Sequence, residues 1–269
     1  PPSAERGAEM TPGIGLSCGP VPEQASGVFV LAVSLKGSTT GISEAVELLS
    51  AHARPARLKK VARLKLVEDR LASLVAGALA DLVAERFVGC DADPFEFGAF
   101  GKPDFREGSG LHLSLAHSRE VVCCAFSRTT VGIDVEGPIA FPEEISSCFA
   151  RRELSYLRAA TDSDARARMA ARLWTRKEAL GKYHGCGLCD EVLRADVLDG
   201  VAPVVDLPVQ GFPSIASEPP FFSTVRMAGQ ALSTCGHGRM HCALLGVDDV
   251  ISCISAAERP MTIGVDAWV

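Results

Sequence analysis

Two carboxylates in a D-x-E pair, a Glu and Lys stripe further along the chain and a basic run upstream are the residues whose types and spacing could do chemistry. The segment Thr130 to Gly137 reads TVGIDVEG. In a strand, alternation puts Val131, Ile133 and Val135 on one face and Gly132, Asp134 and Glu136 on the other. An isolated D-x-E is equally compatible with a solvated strand face, so its meaning depends on its neighbours. Later, Leu173 to Lys182 reads LWTRKEALGK, and helical spacing stacks Trp174, Glu178 and Lys182 along one stripe. Alone, Glu178 and Lys182 could be a surface i,i+4 ion pair. If the stripe faces Asp134 and Glu136, three carboxylates surround one point. That is the donor chemistry of a hard divalent cation, magnesium, sharing its shell with water and phosphate oxygens.

Groups for an anion are also present. Residues 54–70 (RPARLKKVARLKLVEDR) hold seven Lys/Arg against Glu68 and Asp69, a net of +5 in a chain whose own balance is -6. Such a run can be a solvated helix face. Gly101-Lys102-Pro103 puts a cation on a turn whose backbone amides are open to a ligand. His117 stands at the end of a strand-like run, where it could donate to a phosphate or serve the fold.

These residues need elements to position them. A chain of 269 residues with 47% hydrophobic content can build one large or two ordinary domains. The acidic balance argues against a protein that coats nucleic acid. Ten cysteines scattered through such a chain read as reduced thiols rather than a disulfide framework. Val28 to Leu35 is apolar but lacks the flanks of a signal peptide, and Leu71 to Val83 is too short for a bilayer span. A cytoplasmic protein without membrane contact, acting as a monomer or as a domain of a multienzyme, is the expectation, and the absence of a methionine at position 1 suggests numbering that begins inside a longer chain. Residues 1–27 read as a flexible lead-in. Ser43 to Leu49 and Pro55 to Phe87 have helical spacing. Leu111 to Leu115, Val121 to Ser127 and Thr130 to Glu136 read as strands, and Pro142 to Tyr183 as helical with its start at Pro142 and Glu143. Glu191 to Leu198, Phe221 to Met227 and Met240 to Leu245 read as strands again. The order predicts an α+β fold of two halves, 28–138 and 139–269, meeting face to face with a ligand cleft between them.

Taken in order, the basic run, GKP, the LSLAHS segment, VGIDVE and WTRKEALGKYHGCGL resemble the Sfp-type 4'-phosphopantetheinyl transferases over about half the chain, Arg54 to Leu188. The resemblance implies two similar α/β halves forming a pseudo-dimer with the active site at their interface. It implies transfer of the 4'-phosphopantetheine arm of coenzyme A to a serine of an apo acyl or peptidyl carrier protein, with magnesium as the cofactor. Asp134, Glu136 and Glu178 match the family's metal-binding acids, with Glu178 also the general base and Lys182 on the pyrophosphate. Arg57 and Lys60 match its cations for the 3'-phosphate, with Arg54 and Lys59 as alternative pairings. Lys102, His117, Ser73 and Lys177 match further residues of its coenzyme site or beside its base. The chain departs from the family at Ala116, where the family carries Ser, so a hydroxyl on the phosphate would have to come from elsewhere, Ser118 being one candidate. The Arg-rich stretch Arg151 to Lys182 would be a docking surface for an acidic helical carrier.

Two other readings use the same residues. A magnesium-dependent phosphohydrolase acting on coenzyme A or nucleotides could employ the same acids and cations. A zinc module could draw on Cys186 and Cys189 beside His184, with Cys235, His237, His241 and Cys242. The adjacent Cys123 and Cys124 read as packing residues of a strand.

Overall fold

A computed structural model describes residues 27–89, 93–140, 143–202 and 219–255; the N-terminal lead-in and Pro142 lie outside them, apart from Gly27. In chain order, β1 (Val28–Ser34) leads to α1 (Ile42–His52), α2 (Pro55–Val61) and α3 (Val67–Phe87). The strands β2 (Phe95–Phe97), β3 (Pro103–Phe105), β4 (His112–His117), β5 (Val121–Ser127) and β6 (Gly132–Glu136) follow. After a single 3-10 turn come α4 (Arg151–Ala159), α5 (Ser163–His184), α6 (Asp190–Arg194), β7 (Phe221–Met227), β8 (Gln230–Gly236), β9 (Met240–Gly246) and α7 (Val247–Ser255).

The apolar run at the start is explained by burial on both faces of β1. Phe29, Leu31 and Val33 pack with Val122, Cys124 and Phe126 of β5 under Leu74 and Leu79 of α3. Val28, Val30 and Ala32 pack with Cys123 and Ala125 against Ile133 and Val135 of β6. A strand covered on both sides has no polar alternation to show. The first sheet runs β4-β5-β1-β9 and the second β6-β8-β7, with β2 and β3 as a separate hairpin. Helix α3 covers the outer face of the first sheet, and α5 covers that of the second through Leu173, Leu180, Phe222 and Cys235. The layers are therefore helix, sheet, sheet, helix, an α+β arrangement.

Strand pairing crosses residue 138. Strand β6 leaves the N-terminal part to pair with β8, while β9 returns from the C-terminal part to pair in parallel with β1. The returning segment is clamped: Ser38 Oγ and Thr39 Oγ1 donate to the Asp248 carboxylate at 2.6 and 2.9 Å, and the Thr39 and Thr40 amides at 2.8 and 3.3 Å. These donors hold the Asp248 carboxyl well below the usual range.

Three local expectations change. The long helical stretch is broken between α4 and α5, because Asp162 caps α5 by accepting the Ala165 amide at 2.7 Å. The expected strand at Glu191 to Leu198 is instead α6 and a loop. Its backbone groups are met by side chains: Lys177 donates to Leu193 O and Ala195 O, Arg176 to Val197 O and Leu198 O, and the Val197 amide donates to Glu153. Strand β8, with Ala, Ser and Gly where β-branched residues are usual, gives a weak signal. Its hairpin with β7 turns through Ala228 and Gly229, both at positive φ (47° and 79°), where Asn-Gly would have announced it.

What places the second layer is a glycine. A Cβ on Gly132 would lie 1.9 Å from Ala179 O and 2.6 Å from Tyr183 N, so β6 and α5 meet backbone to backbone. Gly132→Ala must push α5 off β6 and is expected to cost at least about 3 kcal/mol, read as a lowered urea midpoint with a transition that stays cooperative.

Candidate active site

The face of β6 that carries Gly132 also carries Asp134, and α5 lies directly against it. Lys182, in the last turn of α5, reaches β6: its Nζ donates to Ile133 O at 3.0 Å and to Asp134 Oδ1 at 2.8 Å. Asp134 and Lys182 form one end of a pocket of about 750 Å³ whose other walls are α2, α3, the end of β4 and the β2–β3 hairpin. Arg57, Lys60, Ser73 and His117 line the same pocket. Six of the residues singled out in the sequence, between 57 and 182, thus converge on one cavity.

The cationic end is built on two packed helices. Arg57 lies across α3 at Gly77, where a Cβ would stand 2.8 Å from its Nε. Burial lowers its pKa, with Asp81 opposing, and burial and then Arg57 lower that of Lys60. His117 stands at the rim. Desolvation at the pocket wall and then Lys60 and Lys182 hold its pKa below the ordinary value, so the imidazole is poised to take a proton when an anion arrives. Ser73 is 4% exposed and its Oγ has no hydrogen-bond partner among the described residues. A buried hydroxyl in that state is costly unless a ligand meets it.

The alternative pairings differ in their surroundings, although Arg54 lines the pocket as Arg57 and Lys60 do. Arg54 is committed to Asp81, lies 3.9 Å from Asp93 and stacks over Phe95 with its guanidinium carbon 5.5 Å from the ring centroid. Lys59 is exposed and outside the pocket lining, whereas Arg57 and Lys60 line it. Ala116 is buried in the lining, and Ser118 does not replace the missing hydroxyl, being bonded to Gln230 and the Val121 amide. The pocket's unpartnered hydroxyl is Ser73.

Two sequence assignments are corrected by geometry. Lys102 does not reach into the pocket: its Nζ donates to Val131 O at 3.0 Å, while Gly101 and Pro103 on either side form the wall. Lys177 turns to the opposite side of α5, fully buried, donating to Leu193 O and Ala195 O and paired with Glu153 at 3.0 Å. Glu153 in turn accepts the Ala150 and Val197 amides at 2.7 and 2.8 Å. This pair fixes α4, α5 and the loop after α6, next in sequence to Glu178. Lys177→Met, which leaves the Glu153 charge unpaired, is expected to lose about 3–5 kcal/mol of stability by urea denaturation.

Glu136 and Glu178 stand outside the pocket lining but close to Asp134. Its pKa is pushed up to about 6, first by burial and further by Glu178 and Glu136, with Lys182 opposing. Three carboxylates fit a hard divalent cation in type and charge. Among the described residues, however, no group of three or more His, Cys, Asp or Glu is close enough to hold an ion, and the Lys182 ammonium is seated on Asp134. The zinc reading fails on the same count. Cys235 and Cys242 are buried in strands, His237 meets the Tyr183 hydroxyl at 3.0 Å and His241 stacks on Phe29.

The raised Asp134 pKa has a sign that can be checked. The folded state keeps the proton that the unfolded chain releases near pH 4, so this group's contribution to stability is complete below that pH and lost as pH rises through about 6. Asp134→Asn removes the effect. Its stability relative to the wild-type chain is expected to rise between about pH 4 and about pH 7.5 by up to about 3 kcal/mol, measured by urea titrations along that range.

Sequence reasoning missed the apolar walls, Phe95, Phe97 and Pro103, and the role of Asp81 in holding Arg54. The single Gly77 inside a Leu- and Ala-rich helix was the available signal for a close approach.

Parts of the chain match known proteins. Residues 130–214 match the family model of the 4'-phosphopantetheinyl transferase superfamily. The chain is 31% identical over 137 residues to 4'-phosphopantetheinyl transferase Sfp of Bacillus subtilis, covering 50% of this chain and 61% of that protein. It is 32% identical over 112 residues to the L-aminoadipate-semialdehyde dehydrogenase-phosphopantetheinyl transferase of Eremothecium gossypii, covering 38% of this chain and 40% of that one. The matched regions thus span roughly two to three fifths of the length of these relatives. The family match includes Asp134, Glu136, Glu178 and Lys182, and the chain is thus similar, over part of its length, to proteins named as 4'-phosphopantetheinyl transferases.

Proposed function

We propose that this protein transfers the 4'-phosphopantetheine arm of coenzyme A to a serine hydroxyl of an apo acyl or peptidyl carrier protein and releases 3',5'-ADP. The observation that carries the reading is the convergence of Arg57, Lys60, Ser73, His117, Asp134 and Lys182 on one pocket. Arg57, Lys60 and His117 would hold the 3'-phosphate, with the Ser73 hydroxyl donating to it, and Lys182 would leave Asp134 to meet the pyrophosphate. Magnesium, held by Asp134, Glu136 and Glu178, would offset the charge of the pyrophosphate when bound. Glu178 accepts the proton of the carrier serine as its oxygen attacks the β-phosphorus. The similar stacking of α3 on β4-β5-β1 and of α5 on β6-β8-β7 supports two related α/β halves with the site where they meet.

The docking surface for an acidic carrier is narrower than the sequence suggests. Arg152 is paired with Asp196 and Asp199, Arg166 with Glu143, and Arg176 and Lys177 are buried. Arg151 and Arg158 remain exposed on α4 beside Tyr156, which is 42% exposed. Among the described residues no helix is long and apolar enough to cross a membrane; a monomeric cytoplasmic enzyme is part of this reading. Both relatives are named transferases, and no observation favours hydrolysis of coenzyme A or a nucleotide.

The test is the mass of an apo carrier protein incubated with coenzyme A and magnesium, which is expected to gain one phosphopantetheine. Glu178→Gln is expected to slow that gain by at least about a hundredfold while coenzyme A still binds. Turnover retained in the variant would remove Glu178 as the base, and an unmodified carrier with hydrolysed coenzyme A would overturn transfer itself.

A further inference from the structure

Outside the pocket, the loop after α5 brings two thiols together. Cys186 and Cys189 form a C-x-x-C, both partly exposed, with their Sγ atoms 3.4 Å apart. The backbone fixes them there. Gly185 closes α5 at a φ of 71°, the Cys186 and Gly187 amides both donate to Gly181 O at 3.0 and 3.3 Å, and the Leu193 amide donates to Cys189 O at 3.0 Å. A soft-metal site would need further ligands, and among the described residues no third His, Cys, Asp or Glu completes one. No such geometry holds for the neighbouring Cys123 and Cys124, which point into separate cores on opposite faces of β5.

We propose that Cys186 and Cys189 are a redox-active dithiol that closes to an intramolecular disulfide by exchange with a small-molecule disulfide of the glutathione type. One thiolate of the pair attacks oxidised glutathione and releases one glutathione; the second then displaces the glutathione now bound to the first. One small-molecule S–S bond breaks and one protein S–S bond forms. The protein loses two electrons and two protons, which leave as two glutathione thiols. Burial, and then the bond with Cys189, hold the Cys186 thiol up at about 12, so closure quickens as pH rises. The cross-link joins the end of the helix that carries Glu178 and Lys182 to the start of α6, whose Leu193 carbonyl takes Lys177. It therefore fastens the segment behind the active site without touching the pocket.

The folded protein provides a direct test. After incubation with oxidised glutathione at about pH 8, remaining thiols are alkylated and the protein is digested with trypsin. The peptide Tyr183 to Arg194 contains both cysteines and no other. It is expected unalkylated and lighter by two hydrogen atoms, becoming doubly alkylated when dithiothreitol precedes the alkylation. Cys186→Ser or Cys189→Ser is expected to leave a glutathione adduct on the remaining thiol instead. A doubly alkylated wild-type peptide without reductant, or a lasting glutathione adduct on it, overturns the proposal. The readout is on thiols alone, so it stands or falls separately from carrier modification.

Discussion

The contact on which the site depends is the seating of α5 on β6. At Gly132 the two backbones touch with no room for a side chain, and one residue pair further along the strand Lys182 bridges Ile133 O and Asp134. The close approach makes the bridge possible, since a lysine at the end of a helix can reach both a carbonyl and a carboxylate of a strand only when helix and strand are nearly in contact. The buried pair also stores a tension. Asp134 is taken out of water among other carboxylates and is stabilised by one ammonium, an arrangement that a doubly charged cation or a phosphate can readily reorganise.

Around this contact the cationic residues differ in how far the protein itself satisfies their charge. Arg54, Lys102, Arg176 and Lys177 each spend their charge on carbonyls or carboxylates of the protein. Arg57, Lys60, His117 and Lys182 line the cavity, as Arg54 also does, and Lys182 at the same time holds Ile133 O and Asp134. Arg176 and Lys177 secure irregular backbone that has no ladder partner, whereas Arg57 and Lys60 line a wall between helices and strand ends.

Much of this was legible in the sequence. The D-x-E alternation put Asp134 on the face of Gly132, and the 3.6-residue period put Lys182 on the face of Glu178. What could not be read was direction within a motif. Lys177 and Glu178 are adjacent, yet helical geometry sends them about 100° apart, so one is buried with Glu153 and the other stands near Asp134. The swap of β6 and β9 between sheets was equally hidden, because strand propensity carries no information about which distant strand completes a ladder. The loop after α6 looked like a strand since its apolar residues fill a core; only the side chains that satisfy its carbonyls distinguish it.

The return of β9 to β1 has a consequence for how the chain is made. In the first sheet, the residue facing Val28 on one side is Met240, more than two hundred positions later in the sequence. Until that stretch has been synthesised, one edge of β1 lacks its hydrogen-bond partners and part of the core beneath it is open. The clamp of Asp248 on the turn at 38–40 closes only then. The nascent protein therefore carries an exposed apolar strand edge until β9 has emerged, and an element made much later completes β1.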